Sequence, residues 1–160
     1  MNDDLFKKGL EIRKSVLGAE FVEKSLAAAD DFNMPMQRLT TEYCWGEIWG
    51  RQELPKKTRS MLNLAMLCAL NRPHELKMHI AGALRNGVTR VEIREVLLQV
   101  AIYCGIPAGV DAFRVAKSSF RKRLDLLGRV AGDERLLSWL QDVRILGGKV
   151  TARRVQVAGQ

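Results

Sequence analysis

The sequence predicts an all-α protein on three observations. Apolar residues recur at three- and four-residue spacing in segment after segment, the period of a helix with one buried face. Helix boundaries are marked by Gly18, Pro73 and Gly87, and by Thr89 followed three positions later by Glu92, a pair that caps a helix start reciprocally. No run alternates apolar and polar residues as a half-buried strand does, and no hairpin signal joins two such runs.

The elements follow in order. Phe6, Leu10, Ile12, Val16 and Leu17 mark a first amphipathic helix, stopped by Gly18 at a C′ position. Residues 21–29 make a second, short helix, closed by Asp30-Asp31 and a loop before Pro35. Residues 37–49 read as a third, with Leu39, Tyr43, Ile48 and two tryptophans as its apolar content. A turn over residues 50–55 ends in Pro55, placed for a helix start. Residues 56–70 are apolar almost all round after Arg59, which predicts a buried central helix. Pro73 cannot continue that helix, because it lacks an N–H and disfavours α geometry in Arg72. It suits the first turn of the next one, residues 74–86, stopped by Gly87. The helix opened by Thr89 runs to Cys104-Gly105, and after Pro107 a last core helix extends to about residue 127. Asp133 to Val143 could add a short amphipathic helix before Gly147-Gly148.

The 160 residues suffice for one domain with a real core. That domain is expected over residues 1–125, followed by a basic extension, 126–160, expected to be partly disordered. The net charge is +8, but residues 1–120 hold seventeen Lys+Arg against fourteen Asp+Glu, and residues 121–160 nine against four. The excess lies mainly in the tail, so a basic nucleic-acid face on the folded core is not expected. No apolar run is long and uninterrupted enough to span a bilayer, and none follows the first residues as in a signal peptide. Cys44, Cys68 and Cys104 are odd in number and widely spaced, which fits reduced, buried thiols in a cytoplasmic protein rather than a disulfide framework.

Chemistry concentrates between Asn71 and His79, which contains both histidines. His74 and His79 are five residues apart, about 140° around a helix, and do not converge on one ion as an i, i+4 pair does. No metal site is expected. No cysteine pair has the C-x-x-C spacing of thiol redox centres. Glu75 and His79, at i and i+4, share a face and could act in proton transfer, although an ordinary surface pair explains the same spacing. Glu42, Trp45 and Trp49 form one stripe, where an apolar pocket would push a carboxylate toward proton-donor range; a solvated Glu42 above two core tryptophans is the simpler account. Arg72, between two largely apolar helices, could grip a carboxylate in a forked geometry beside a helix start, or simply cap the preceding helix.

Several motifs resemble the carboxymuconolactone decarboxylase family of the alkylhydroperoxidase D-like superfamily. They are Thr41-Glu42-Tyr43-Cys44-Trp45-Gly46-Glu47-Ile48-Trp49, the segment 59–66, Leu70-Asn71-Arg72-Pro73-His74-Glu75-Leu76 with His79, and Asn86-Gly87-Val88-Thr89-Arg90. Segments 92–105 and 107–115 continue the likeness, which spans about residues 5–122. The superfamily's thiol peroxidases carry a Cys-x-x-Cys where this chain has Arg72 and Glu75 ahead of His79, which argues against peroxidase activity. The resemblance implies a helical bundle of six to seven helices and a homo-oligomer, commonly of six subunits. It also implies cofactor-free decarboxylation of γ-carboxymuconolactone to β-ketoadipate enol-lactone in protocatechuate catabolism. On that reading Arg72 anchors the carboxylate that stays, since a grip on the departing one would stabilise the ground state. His79 is the proton donor or the electrophile at the lactone oxygen, Glu42 the alternative proton carrier, and Trp45 a wall that excludes water. His74, Glu75 and Glu47 are further candidates, and Arg59 has a structural or substrate-binding role. The alternatives are a related lactone decarboxylase or isomerase, a thiol peroxidase and a nucleic-acid-binding helical protein.

Overall fold

The computed structural model describes residues 2–131, with side chains through residue 121. It divides into two compact units, Met1–Phe120 and Arg121–Gln160, and of the second only the end of the last helix is described. The helix expected over Asp133–Val143 lies outside the described residues, as does the basic extension beyond Ala131. Among the described residues there are seven α-helices and one π-helix, and no strand. They are α1 (Asp3–Leu17), α2 (Ala19–Ala27), α3 (Met34–Leu39), the π-helix (Thr40–Ile48), α4 (Lys56–Ala69), α5 (Pro73–Arg85), α6 (Arg90–Tyr103) and α7 (Ile106–Ala131). None of the described helices is long and apolar enough to cross a membrane.

Local chemistry sets the ends. Asn2 Oδ1 accepts hydrogen bonds from the Asp4 and Leu5 amides at the start of α1, and Gly18, at φ 97°, stops it. The capping box at Thr89 is complete: its hydroxyl accepts from the Glu92 amide, and the Glu92 carboxylate accepts from the Thr89 amide at 2.8 Å. Between α4 and α5, Asn71 takes φ 51°, a left-handed conformation that asparagine tolerates. The Arg72 amide still bonds back to the Leu67 carbonyl, and Pro73 opens α5.

The third expected helix departs from α geometry. From Thr40 its hydrogen bonds widen to five-residue spacing, as in Trp49 N–H to Cys44 O at 2.9 Å. The buried positions become Thr41, Glu42, Trp45, Gly46 and Trp49, recurring every four to five residues. This segment lies directly on α1. A Cβ at Gly9 would overlap the Thr41 carbonyl oxygen and stand 2.8 Å from the Gly46 amide nitrogen. Both are backbone atoms and cannot swing aside. Gly9→Ala is therefore expected to destabilise the fold by about 3 kcal/mol or more, because alanine's helix propensity recovers only about 1 kcal/mol. A urea midpoint equal to the parent's would refute this close approach.

Two apolar clusters form. Val16, Leu17, Val22, Trp45 and Trp49 make one, on α1, α2 and the π-helix. Leu64, Leu76, Ile80, Ile93, Leu97 and Ala112 lie at the centre of the other, on α4 to α7. Helix α5 joins them: Leu76, Ile80 and Ala83 enter the second cluster, while Gly82 packs on Val16 of the first. Arg85 Nη1 adds a hydrogen bond to the Val16 carbonyl at 3.2 Å.

Helix α4 is not the buried central element its composition predicts. Only Ser60, Leu64 and Cys68 are buried, while Leu62, Met66 and Leu70 are exposed on its other side. Among the described residues one apolar face meets α4, and its second apolar stripe is exposed. The cysteines divide similarly: Cys68 is buried, but Cys44 and Cys104 are exposed, against the expectation of three buried thiols.

Candidate active site

The π-helix and α5 meet at three rings. Trp45 and Trp49, four residues apart, lie with ring centroids 4.9 Å apart and tilted by 36°. The His79 imidazole faces Trp45 nearly parallel, at 5°, with centroids 6.3 Å apart. Both tryptophans are buried and His79 is half-buried. Burial pushes the imidazole's pKa below its ordinary 6.5, and Glu75, one turn earlier on α5, opposes that shift. Near neutral pH, His79 is an uncharged imidazole, a hydrogen-bond donor through one nitrogen.

Glu42 lies on the same π-helix but in different surroundings. It is 2 % exposed, so it is not the solvated residue of the simpler sequence account. Nor is its pocket apolar. One carboxylate oxygen accepts from the Asn2 amide at 3.1 Å, and the other stands 3.4 Å from Arg38 Nε. That second contact is an ion pair without hydrogen-bond alignment, since both atoms lack a bonded partner. Arg38 also pairs with Asp3 at 2.6 Å and lies over the Phe6 ring. Its pKa is raised, chiefly by the bond to Asp3. Alongside, the buried Arg13 donates to Gln37 Oε1 at 2.9 Å and to Thr41 Oγ1 at 3.0 Å. These polar residues attach the start of α1 to the segment that carries Trp45.

Arg72 stands apart from the rings. It is exposed at the head of α5, and no described residue accepts a hydrogen bond from its side chain or forms an ion pair with it. It borders a cavity of about 350 Å³ between the end of α4 and the start of α7, with Cys68, Leu76, Cys104, Pro107 and Asp111 among the walls. None of His79, Glu42, Trp45, His74, Glu75, Glu47 and Arg59 lines that cavity. Arg72 and His79 thus sit on one helix but address different spaces, seven residues and about 10 Å of helix rise apart. His74 and Glu47 are exposed, and Glu75 is half-buried. Arg59 is half-buried, with an Nε that finds no hydrogen-bond partner.

Sequence reasoning overlooked Cys68, Cys104 and Asp111 as neighbours of Arg72, and Asn2 and Arg38 as partners of Glu42. Cys68 lies four residues before Arg72, a spacing that could have suggested a shared side. Cys104 comes from α6 and carries no local signal. Burial pushes the Cys68 thiol up to about 11, which keeps it protonated and inert. Among the described residues no three His, Cys, Asp or Glu side chains gather as a metal-binding set.

Residues 35–118 match the model of the carboxymuconolactone decarboxylase family. The chain is 42 % identical over 122 residues to a 4-carboxymuconolactone decarboxylase of Acinetobacter baylyi, covering 76 % of this chain and 91 % of the relative. It is also 42 % identical over 121 residues to a nitrosuccinic acid decarboxylase of Metarhizium robertsii, covering 76 % of this chain and 85 % of the relative. These agree with the motif resemblance around Glu42 and His79, and both relatives break a bond to a carboxyl group. The chain belongs to the carboxymuconolactone decarboxylase family and is an enzyme of the carboxy-lyase class.

Proposed function

We propose that this protein decarboxylates a small dicarboxylic acid in which the departing carboxylate leaves its electrons on a carbon conjugated to an oxygen acceptor. The first candidate is γ-carboxymuconolactone, which would place the enzyme in the protocatechuate branch of aromatic catabolism in the cytoplasm. The observation that carries this reading is α5 itself: it presents at its head an arginine that no described residue pairs and, two turns on, an uncharged imidazole parallel to a buried tryptophan.

The chemistry follows from those groups. The bond from the ring carbon to the departing carboxylate breaks and carbon dioxide leaves. The electron pair runs through the ring alkene into the lactone carbonyl, giving a dienolate. His79, uncharged, donates a hydrogen bond to that oxygen as its charge develops. A proton from solvent, relayed at the imidazole, then adds to the carbon beside the carbonyl. Trp45 excludes bulk water and so strengthens the hydrogen bond. Glu42, bonded to the Asn2 amide through one oxygen and ion-paired with Arg38 through the other, is assigned to positioning the π-helix rather than to carrying the proton.

The second reading is nitrosuccinate, favoured by the equal identity to the fungal relative. It makes the same demands: two carboxylates, one of which leaves, and an electron pair received by nitro oxygens. Carbon dioxide release from purified protein should distinguish the two acids, with lactone absorbance followed in parallel. Release from neither acid would sink the proposal.

The pH dependence tests the role of His79. With its pKa below 6.5 and its neutral form active, kcat/KM stays level near neutrality and falls as pH drops through that lowered value. An imidazolium donor would instead give activity that rises on acidification. Stability has the same sign, because the unfolded chain takes up this proton first. The contribution is full above 6.5 and is lost as pH falls through the folded-state pKa.

The exposed stripe of α4, Leu62, Met66 and Leu70, supports a homo-oligomer, six subunits being the number the family resemblance implies. Sedimentation at micromolar concentration as a monomer would contradict this.

A further inference from the structure

The cavity beside Arg72 has no part in the hydrogen bond from His79, and its walls fit a carboxylate's surroundings. Leu67, Leu76, Ala112 and Val115 supply apolar surface for a carbon skeleton. Arg72 supplies a cation that no described residue neutralises. Asp111, the acid that also lines the cavity, is paired with Arg114 at 2.7 Å. Cys68 contributes an uncharged thiol. The volume of about 350 Å³ lies at the small end of pockets that hold organic ligands, roughly 300–1,000 Å³.

The far wall is rigid. Cys104 ends α6, Gly105 turns the chain at φ 99°, and Pro107 re-enters the cavity wall on α7. A Cβ at Gly109 would overlap that of Ala101, so α7 is clamped to α6 one turn past Cys104. That packing fixes Cys104 and Pro107 in the cavity wall.

Resting on the decarboxylase reading above, we infer that this cavity seats the carboxylate the substrate keeps, with Arg72 as its counter-ion, and that Cys104, which lines the same cavity, limits the length of acid accepted. Cys104 is exposed and therefore open to alkylation while the cavity is empty, and shielded when an acid occupies it.

The test labels the full-length protein with N-ethylmaleimide and follows each cysteine by mass spectrometry, with succinate or propionate titrated at constant ionic strength. Succinate is expected to slow labelling of Cys104, by about tenfold at ten times its half-protecting concentration. Propionate should protect less, and labelling of Cys44 should not change. In Arg72→Gln the protection should vanish, and in Arg72→Lys, which keeps the charge, it should weaken. Cys104→Phe should raise KM for the active acid much more than it lowers kcat. Labelling of Cys104 indifferent to succinate, in protein that still releases carbon dioxide, overturns the subsite and leaves the decarboxylase reading intact. Protection by succinate without carbon dioxide release from either acid has the opposite meaning: the subsite stands and the reaction is misassigned.

Discussion

His79→Ala is expected to fold as the parent does and to lose roughly 10² to 10⁴ in kcat. The imidazole is half-buried against Trp45, so its removal opens a small space at the edge of a ring cluster without emptying the centre of either apolar cluster. The expected loss is in rate, because the bond from His79 gains strength only as charge appears on the carbonyl oxygen. His79→Gln, which keeps an N–H donor, should recover part of the rate if the residue acts as an electrophile, and none if it must hand over a proton. Stopped-flow absorbance with the parent's best acid, alongside circular dichroism, makes this comparison. Unchanged kcat in folded His79→Ala would remove the residue from the mechanism.

Arg72→Ala should instead act on binding. An arginine with no partner among the described residues gives up little when deleted from the free protein. A substrate dianion, however, loses a charge-assisted, two-point hydrogen bond. A rise in KM of roughly a hundredfold is expected, with kcat changed far less. Arg72→Lys should fall between, since an ammonium retains charge without the fork. Thermal stability should barely move, because the side chain is exposed. If kcat falls and KM stays constant, Arg72 acts on the departing carboxylate or the transition state, not on the arm that remains.

The two variants also show how far the site could be read from the chain alone. The candidates on α5 were visible because proline, arginine and histidine stand at informative spacings along one helix, and Trp45 because it falls on a stripe with Trp49. Their separation into a ring cluster and a cavity was not visible. Trp45 reaches His79 only because the π-helix rests on α1 at Gly9, and Cys104 reaches the Arg72 cavity only through packing of α4, α6 and α7. The exposed apolar side of α4 was misjudged for a related reason. Composition reports that a residue avoids water, and does not say which surface, of its own chain or of another, will cover it.

Helix class, number and boundaries are properties of short stretches. Periodicity, the Thr89–Glu92 box, Pro73 and the glycine stops act within a turn or two, so the linear chain already contains them. The motifs around Glu42 and His79 likewise carried the family. The tertiary structure decided what depends on distant backbones meeting: the widened turn at Thr40–Ile48, the burial that lowers the pKa of His79, and the Asn2 amide that bonds the buried Glu42. It also decided the cavity that Arg72 borders, where no described residue serves as its counter-ion. Each of those is set by desolvation and close contact across many residues of chain, for which no local pattern is a proxy.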